Sequence, residues 1–176
     1  MNIPPKNIKE VFLCPGEFFF GEANTRIRTL LGSCVAITLW HPQRRIGGMC
    51  HYMLSDPHLI KHNRRKHLDG RYAEDAVQLF LKEIAKTKTH QHEYQVKIFG
   101  GGNMFANVTK GKLENIGERN VRIGRELLKN FGFNVCSEHL GGEGYRRLVF
   151  DLWSGDVWMK HTQFSPEHPA EKKQYG

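Results

Sequence analysis

The sequence has 176 residues, enough for one ordinary domain with a hydrophobic core and too few for two domains unless both are small. Hydrophobic residues make up 39% of the chain and aromatic residues 11%, which excludes disordered, fibrous and collagen-like proteins. Lys and Arg total 26 against 18 Asp and Glu, a formal charge of +8, so we expect an acidic partner.

No apolar stretch approaches the roughly 20 residues that span a bilayer, and residues 1–6 lack the apolar core of a secretory signal. We therefore expect a cytoplasmic protein without membrane insertion. The cysteines are Cys14, Cys34, Cys50 and Cys136, and they form no CxxC pair. We expect them to be free thiols rather than zinc ligands or disulfides.

Short apolar runs bounded by Gly, Pro and Asn predict strands. In chain order these runs are residues 11–14, 34–40, 46–53, 94–99, 133–137, 148–152 and 157–160. Helical spacing of apolar residues predicts two helices, around residues 73–84 and 116–131, the second ending at Gly132. The mixed order of strands and helices predicts an α+β protein, a β-sheet structure with flanking helices.

The strands at 34–40 and 46–53 are close enough to form a hairpin around residues 41–45. Polar and basic residues at 58–67 predict a long surface loop. Residues 165–176, with two prolines and almost no apolar content, are expected to be a disordered tail. No repeat or linker divides the rest, so residues 1–164 are predicted to form a single domain.

A candidate catalytic pair lies in the predicted hairpin, because Cys34 opens one strand and His51 lies late on the next. An imidazole within hydrogen-bond reach can take the proton of a thiol and leave a strong nucleophile. Gly32 permits a tight turn that frees backbone N–H groups for an oxyanion. A hydroxyl of Thr29 or Ser33 would orient the histidine, and Thr29 is the preferred candidate.

The register of this hairpin is left open by the sequence. Cys34 lies ten residues before Arg44 and His51 seven after it, so a bulge or an off-centre turn is needed to align the two. Residue types alone leave a second interpretation, in which Cys34 packs in the core and His51 has a structural role.

Two further features of the sequence bear on the candidate Cys–His site. The run Gly100–Gly101–Gly102 completes neither a Walker A motif nor a dinucleotide fingerprint, so we interpret it as a close approach of backbone to a neighbouring element. Asn120, early in the second predicted helix, can direct a polar group toward the same end of the sheet.

The basic stretch allows two other hypotheses. His58, His62 and His67 suggest a metal site, but no carboxylate or thiolate completes the set and the neighbouring cations repel a metal ion, so no metal site is predicted. The same stretch can contact nucleic-acid phosphates or an acidic protein surface. The absence of interleaved aromatic residues argues against nucleic acid.

Several segments, taken together, resemble one known family. Residues 29–36 resemble the nucleophile motif, and residues 47–54 the catalytic-histidine strand, of the chemoreceptor glutamine deamidases of bacterial chemotaxis, called CheD. Segments 99–105, 116–120 and 141–151 follow in the family's order. Tyr145 stands where the family usually has a glycine.

This resemblance implies that Cys34 is the nucleophile, His51 the general base and acid, and Thr29 the third member of the site. It also implies an α+β sandwich of sheets with helices outside, similar to the catalytic domain of the deamidating toxins. The implied reaction converts glutamine side chains to glutamate through a thioester, on the cytoplasmic helices of methyl-accepting chemotaxis receptors. It needs no metal or organic cofactor. A CheC-type phosphatase is a possible second partner.

Two alternatives remain at this point. In the first, the chain is a basic module that binds nucleic acid or an anionic surface, with a structural Cys34. In the second, it is a cysteine peptidase or transglutaminase that uses the same Cys–His pair.

Overall fold

The computed structural model describes residues 3–54, 67–104 and 115–164. The strands of these ranges are β1 (Lys9–Leu13), β2 (Phe18–Gly21), β3 (Thr25–Leu31), β4 (Val35–His41), β5 (Ile46–Tyr52), β6 (Gln95–Gly100), β7 (Val135–Leu140), β8 (Tyr145–Asp151) and β9 (Asp156–Thr162). The α-helices are α1 (Ala73–Thr87) and α2 (Ile116–Asn130). The predicted tail at 165–176 and most of the predicted basic loop, with His58 and His62, lie outside the described residues.

The sequence prediction was wrong in omitting β2 and β3. The burial of β3 alternates strictly, with Thr25, Ile27, Thr29 and Leu31 inside and the residues between them turned outward. Half of the inward residues are threonines, so β3 contains no long apolar run. The period-2 alternation is the signal that identifies such a strand.

The strands form two sheets that pack face to face. The outer sheet has the strand order β1-β3-β8-β9, and the central sheet has the order β2-β5-β4-β6-β7. One core lies between them and draws on both sheets: Leu13, Ile27, Leu31, Ala36, Met49, Phe99, Leu148, Phe150 and Leu152. The predicted α+β sandwich is confirmed.

Both helices pack on the other face of the central sheet, so the layers run outer sheet, central sheet, helices. The second core includes Val77 and Phe80 of α1, Val121 and Leu128 of α2, and Cys50 of β5. Helix α2 begins with a capping box between Asn115 and Glu118. It ends, as predicted, before Gly132, whose φ of 75° closes the last turn.

Neither of the helices in the described ranges has the length and apolar content that a bilayer crossing requires.

The predicted β4–β5 hairpin is confirmed, and its register is regular from Val35↔Tyr52 to His41↔Ile46. No bulge is present. Instead, Ala36 lies directly opposite His51, and Cys34 stands just before the strand begins.

Three connections between the two sheets meet at one end of the sandwich, here called the crossing end. Residues 14–17 lead from β1 to β2, residues 32–34 from β3 to β4, and residues 141–144 from β7 to β8. The candidate nucleophile therefore lies where the chain passes from one sheet to the other.

Candidate active site

Thr29 and His51 face each other across the space between the two sheets. Thr29 Oγ1 lies 2.8 Å from His51 Nδ1 and donates a hydrogen bond of 2.8 Å to the carbonyl oxygen of Leu13. Because a hydroxyl carries a single proton, Thr29 then accepts the proton of Nδ1. This leaves the lone pair of His51 on Nε2.

The environment of His51 keeps its ring neutral. Its side chain is 1% exposed, and burial lowers its pKa from 6.5 to about 4, partly opposed by the carbonyl of Leu13 and the charge of Glu17. Nε2 is buried and has no hydrogen-bond partner within the described residues. A neutral ring with an unpaired basic nitrogen is the state that a general base requires.

The turn that carries Cys34 is held by the glycine run. Gly102 N–H donates to the carbonyl of Gly32, and Gly101 N–H donates to the carbonyl of Cys34, both at 2.8 Å. Gly100 has a φ of 118°, and a Cβ at this position would lie 2.2 Å from the Cys34 carbonyl oxygen. The interpretation of the run as a close backbone approach is confirmed.

Asn120 holds the same turn from the helix side. Its Nδ2 donates hydrogen bonds of 3.1 Å to the carbonyls of Ser33 and Met53, and its own carbonyl accepts a bond of 2.8 Å from the Tyr52 hydroxyl. Asn120 is 1% exposed, and its amide therefore ties the residue before Cys34 to the end of β5. The expectation that it points to this end of the sheet is confirmed.

Cys34 lies on the same side of the central sheet as His51. It stands two positions before Ala36, the residue opposite His51, and it is half-buried against the inter-sheet core. Within the described residues no hydrogen bond joins its thiol to His51. Diagonal neighbours of this kind are within reach of longer side chains, and catalytic hydrogen bonds often tighten only when substrate is bound.

The electrostatics of Cys34 favour the thiol in the resting protein, because burial raises its pKa. In the described part of the chain, the backbone N–H groups of Ser33 and Cys34 form no hydrogen bond. These N–H groups, at the Gly32 turn, are available to an oxyanion.

The other cysteines have different surroundings. Cys50 is fully buried on the helix side of the central sheet, and burial raises its pKa to about 12. Cys14 and Cys136 are exposed. All are free thiols, as predicted.

Arg146 is a buried cation at the crossing end whose contacts the sequence did not reveal. It is 1% exposed, lies opposite Leu31, and donates through Nε to His139 Nδ1 at 2.9 Å and through Nη2 to the carbonyl of Gly141. Nη1 has no partner among the described residues. Tyr145, the departure from the family pattern, lies on the opposite, outward side of β8.

Comparison with known proteins gives a consistent result. A family model described as "CheD chemotactic sensory transduction" matches residues 53–161. The chain is 54% identical to the probable chemoreceptor glutamine deamidase CheD 3 of Dechloromonas aromatica, over 93% of this chain and 94% of that protein. It is 46% identical to the probable chemoreceptor glutamine deamidase CheD of Pseudomonas fluorescens, over 89% of this chain and 87% of that one. The two relatives match 93% and 89% of this chain, whereas the family model matches residues 53–161, which follow Thr29, Cys34 and His51.

Proposed function

The chain belongs to the CheD family, and on that premise we propose that it is a protein-glutamine deamidase that hydrolyses glutamine side chains of chemoreceptors to glutamate. The names of the curated relatives support the reaction and its substrate class. The buried Nε2 of His51 has no hydrogen-bond partner among the described residues, and Thr29 orients the ring; this is the observation that supports the chemistry.

The reaction begins with Cys34. Its thiol proton passes to His51 Nε2, and the sulfur attacks the carboxamide carbon of the glutamine. The N–H groups at Ser33 and Cys34 stabilise the oxyanion of the tetrahedral intermediate. The intermediate collapses to a thioester when His51 returns the proton to the leaving ammonia.

Water completes the cycle. His51, neutral again, takes a proton from a water molecule, whose oxygen attacks the thioester carbon. The C–S bond breaks, His51 passes the proton that it took from water to the thiolate of Cys34, and the product is glutamate. Thr29 holds the ring through Nδ1 in both half-reactions, so that Nε2 remains the nitrogen that exchanges protons. Side chains and backbone N–H groups of this chain, together with the substrate and water, supply every group in the scheme.

The proposal places the reaction in the cytoplasm, at the cytoplasmic helices of methyl-accepting chemotaxis receptors. The charge of +8 supports an encounter with helices that carry carboxylates. A CheC-type phosphatase is proposed as a second partner from the family resemblance alone.

The test uses a purified cytoplasmic fragment of a chemoreceptor and mass spectrometry. Deamidation replaces NH₂ by OH and adds about 1 Da to each modified glutamine, the change expected of this nucleophile. We expect activity for the wild-type protein and for Cys14→Ala, Cys50→Ala and Cys136→Ala. We expect none for Cys34→Ala or His51→Ala. Activity that survives the loss of Cys34 contradicts the mechanism.

A further inference from the structure

The outer sheet has an uncovered side, here called the outward face, formed by the residues of β1, β3, β8 and β9 that point away from the central sheet. Both helices lie on the far side of the central sheet, so no helix of the described ranges covers this face. Phe12, Leu30 and Trp158 are 60%, 46% and 63% exposed there. Exposed apolar patches rimmed by polar residues mark interaction sites.

Strand register arranges these side chains in rows. One row across the sheet is Phe12, Arg28, Val149 and Trp158, and the next row toward the crossing end is Leu30, Arg147 and Lys160. Residues paired in register stand side by side on one face. The apolar groups and the cations therefore form one continuous surface.

The charges on this face are separated along the strands. At the end away from the crossing, Asp151 pairs with Arg26 at 2.7 Å, and Glu10 pairs with Arg28 at 3.0 Å. Nearer the crossing end, Arg147 and Lys160 form no ion pair with any described residue. The two ion-paired carboxylates thus lie at one end of the face, and the two cations that have no ion pair in the described ranges lie at the other.

Arg147 and Lys160 are also direct cross-strand neighbours. Like charges opposite each other in a sheet are destabilising, and a bound carboxylate would relieve this repulsion. Tryptophan and arginine are the side chains that contribute most often to the binding energy of protein interfaces. The chemistry of the row therefore favours an anionic partner with an apolar side.

We propose that the outward face docks an acidic amphipathic helix of the substrate protein. Carboxylates of that helix contact Arg147 and Lys160, and its apolar side chains pack on Phe12, Leu30 and Trp158. The link to the substrate rests on the proposed function. Leu30 immediately follows Thr29 and precedes Cys34 by four residues, so a segment docked here lies beside the turn that carries the nucleophile.

The test combines binding and kinetics. A Cys34→Ala background measures the affinity for the cytoplasmic receptor fragment, and the active protein measures deamidation of that fragment and of a short glutamine peptide without the acidic helix. The double variant Arg147→Glu/Lys160→Glu and the single variant Trp158→Ala change the docking face. Lys82→Glu/Lys129→Glu on the helices is the control, because it changes the net charge equally on the opposite side of the molecule.

We expect each docking-face variant to weaken binding and raise KM for the receptor fragment about 10-fold, with kcat unchanged, and to leave the short peptide unaffected. The charge-matched control should resemble wild type. Arg147→Ala, which removes the like-charge pair without adding a carboxylate, should also weaken binding of the receptor fragment and raise its KM.

The docking proposal is overturned if the docking-face variants keep wild-type affinity and KM for the receptor fragment. It is also overturned if their deamidation activity falls equally on the fragment and on the short peptide. A wild-type dimer that dissociates in Arg147→Glu/Lys160→Glu, detected by light scattering, also overturns it by assigning the face to a second copy of the chain. Binding that depends on this face without any deamidation would instead contradict the proposed function and leave the docking surface standing.

Discussion

The hydroxyl of Thr29 lies 2.8 Å from His51 Nδ1 and 2.8 Å from the carbonyl oxygen of Leu13, and it links the two through a chain of two hydrogen bonds. His51 belongs to the central sheet, whereas Thr29 and Leu13 belong to the outer sheet. The orientation of the imidazole is therefore set by the packing of one sheet on the other.

Thr29→Val keeps the shape of the side chain and removes its hydroxyl. We expect kcat for deamidation to fall roughly 5- to 10-fold, the effect of one hydrogen bond, because Nδ1 loses the acceptor that fixes the tautomer. Thr29→Ser should recover most of the loss. The measurement is the initial rate at saturating receptor fragment.

Thr25→Val is the matched control, because Thr25 is inward and buried on the same strand four residues earlier. Its kcat should stay within twofold of wild type, a smaller change than the one expected from loss of the Thr29–His51 hydrogen bond. Equal losses in the two variants would show that the effect comes from the core rather than from His51.

The pH dependence follows from the burial of His51. The ring must be neutral to accept the thiol proton, and its pKa is lowered from 6.5 to about 4. We therefore expect kcat/KM to persist as the pH falls through 6.5 and to decline only toward pH 4. Loss of half of kcat/KM near pH 6.5 would contradict a lowered pKa of His51.

Asn120→Ala removes both hydrogen bonds that tie the Cys34 turn to β5. Two carbonyls lose a buried donor, so we expect the free energy of unfolding to fall by about 1–3 kcal/mol and kcat to fall at least as much as in Thr29→Val. Thermal unfolding and initial rates check the two effects separately.

Asn120→Asp sharpens this test, because an ionised carboxylate cannot donate to the carbonyls of Ser33 and Met53. It should be at least as impaired as Asn120→Ala. Asn130→Ala, at the exposed end of the same helix, should behave as wild type. A fully active Asn120→Asp variant would show that the side-chain amide of Asn120 is not needed to hold the Cys34 turn.

Cys34 should react as a thiol of raised pKa in the absence of substrate. Because burial raises its pKa, the thiolate fraction at neutral pH is small. We expect its alkylation by iodoacetamide, followed by peptide mass spectrometry, to keep accelerating above pH 9. A rate that levels off below pH 8 would indicate that His51 already holds the proton in the free protein.

The sequence predicted those parts of the fold and site that depend on local spacing. The β4–β5 hairpin and the glycine that ends α2 follow from neighbouring residues. The contact between Thr29 and His51 was expected as well, and their catalytic roles stay predictions.

Other contacts depend on tertiary packing between distant residues. Asn120 meets Ser33 across 87 positions of the chain, and only the placement of α2 on the central sheet brings them together. The burial of Arg146 likewise depends on the pairing of β8 with β3. Strand β3 itself was missed because threonine fills half of its inward positions.

The alternating burial along β3 limits the insertions and deletions that this strand can accept. Thr29 points inward to His51, and the very next residue, Leu30, points outward. Inserting or deleting a single residue upstream within the strand would exchange the two sides and remove the imidazole contact and the exposed leucine together. Tolerated length changes should therefore fall in the connections that flank Thr25–Leu31, and within the strand only in steps of two.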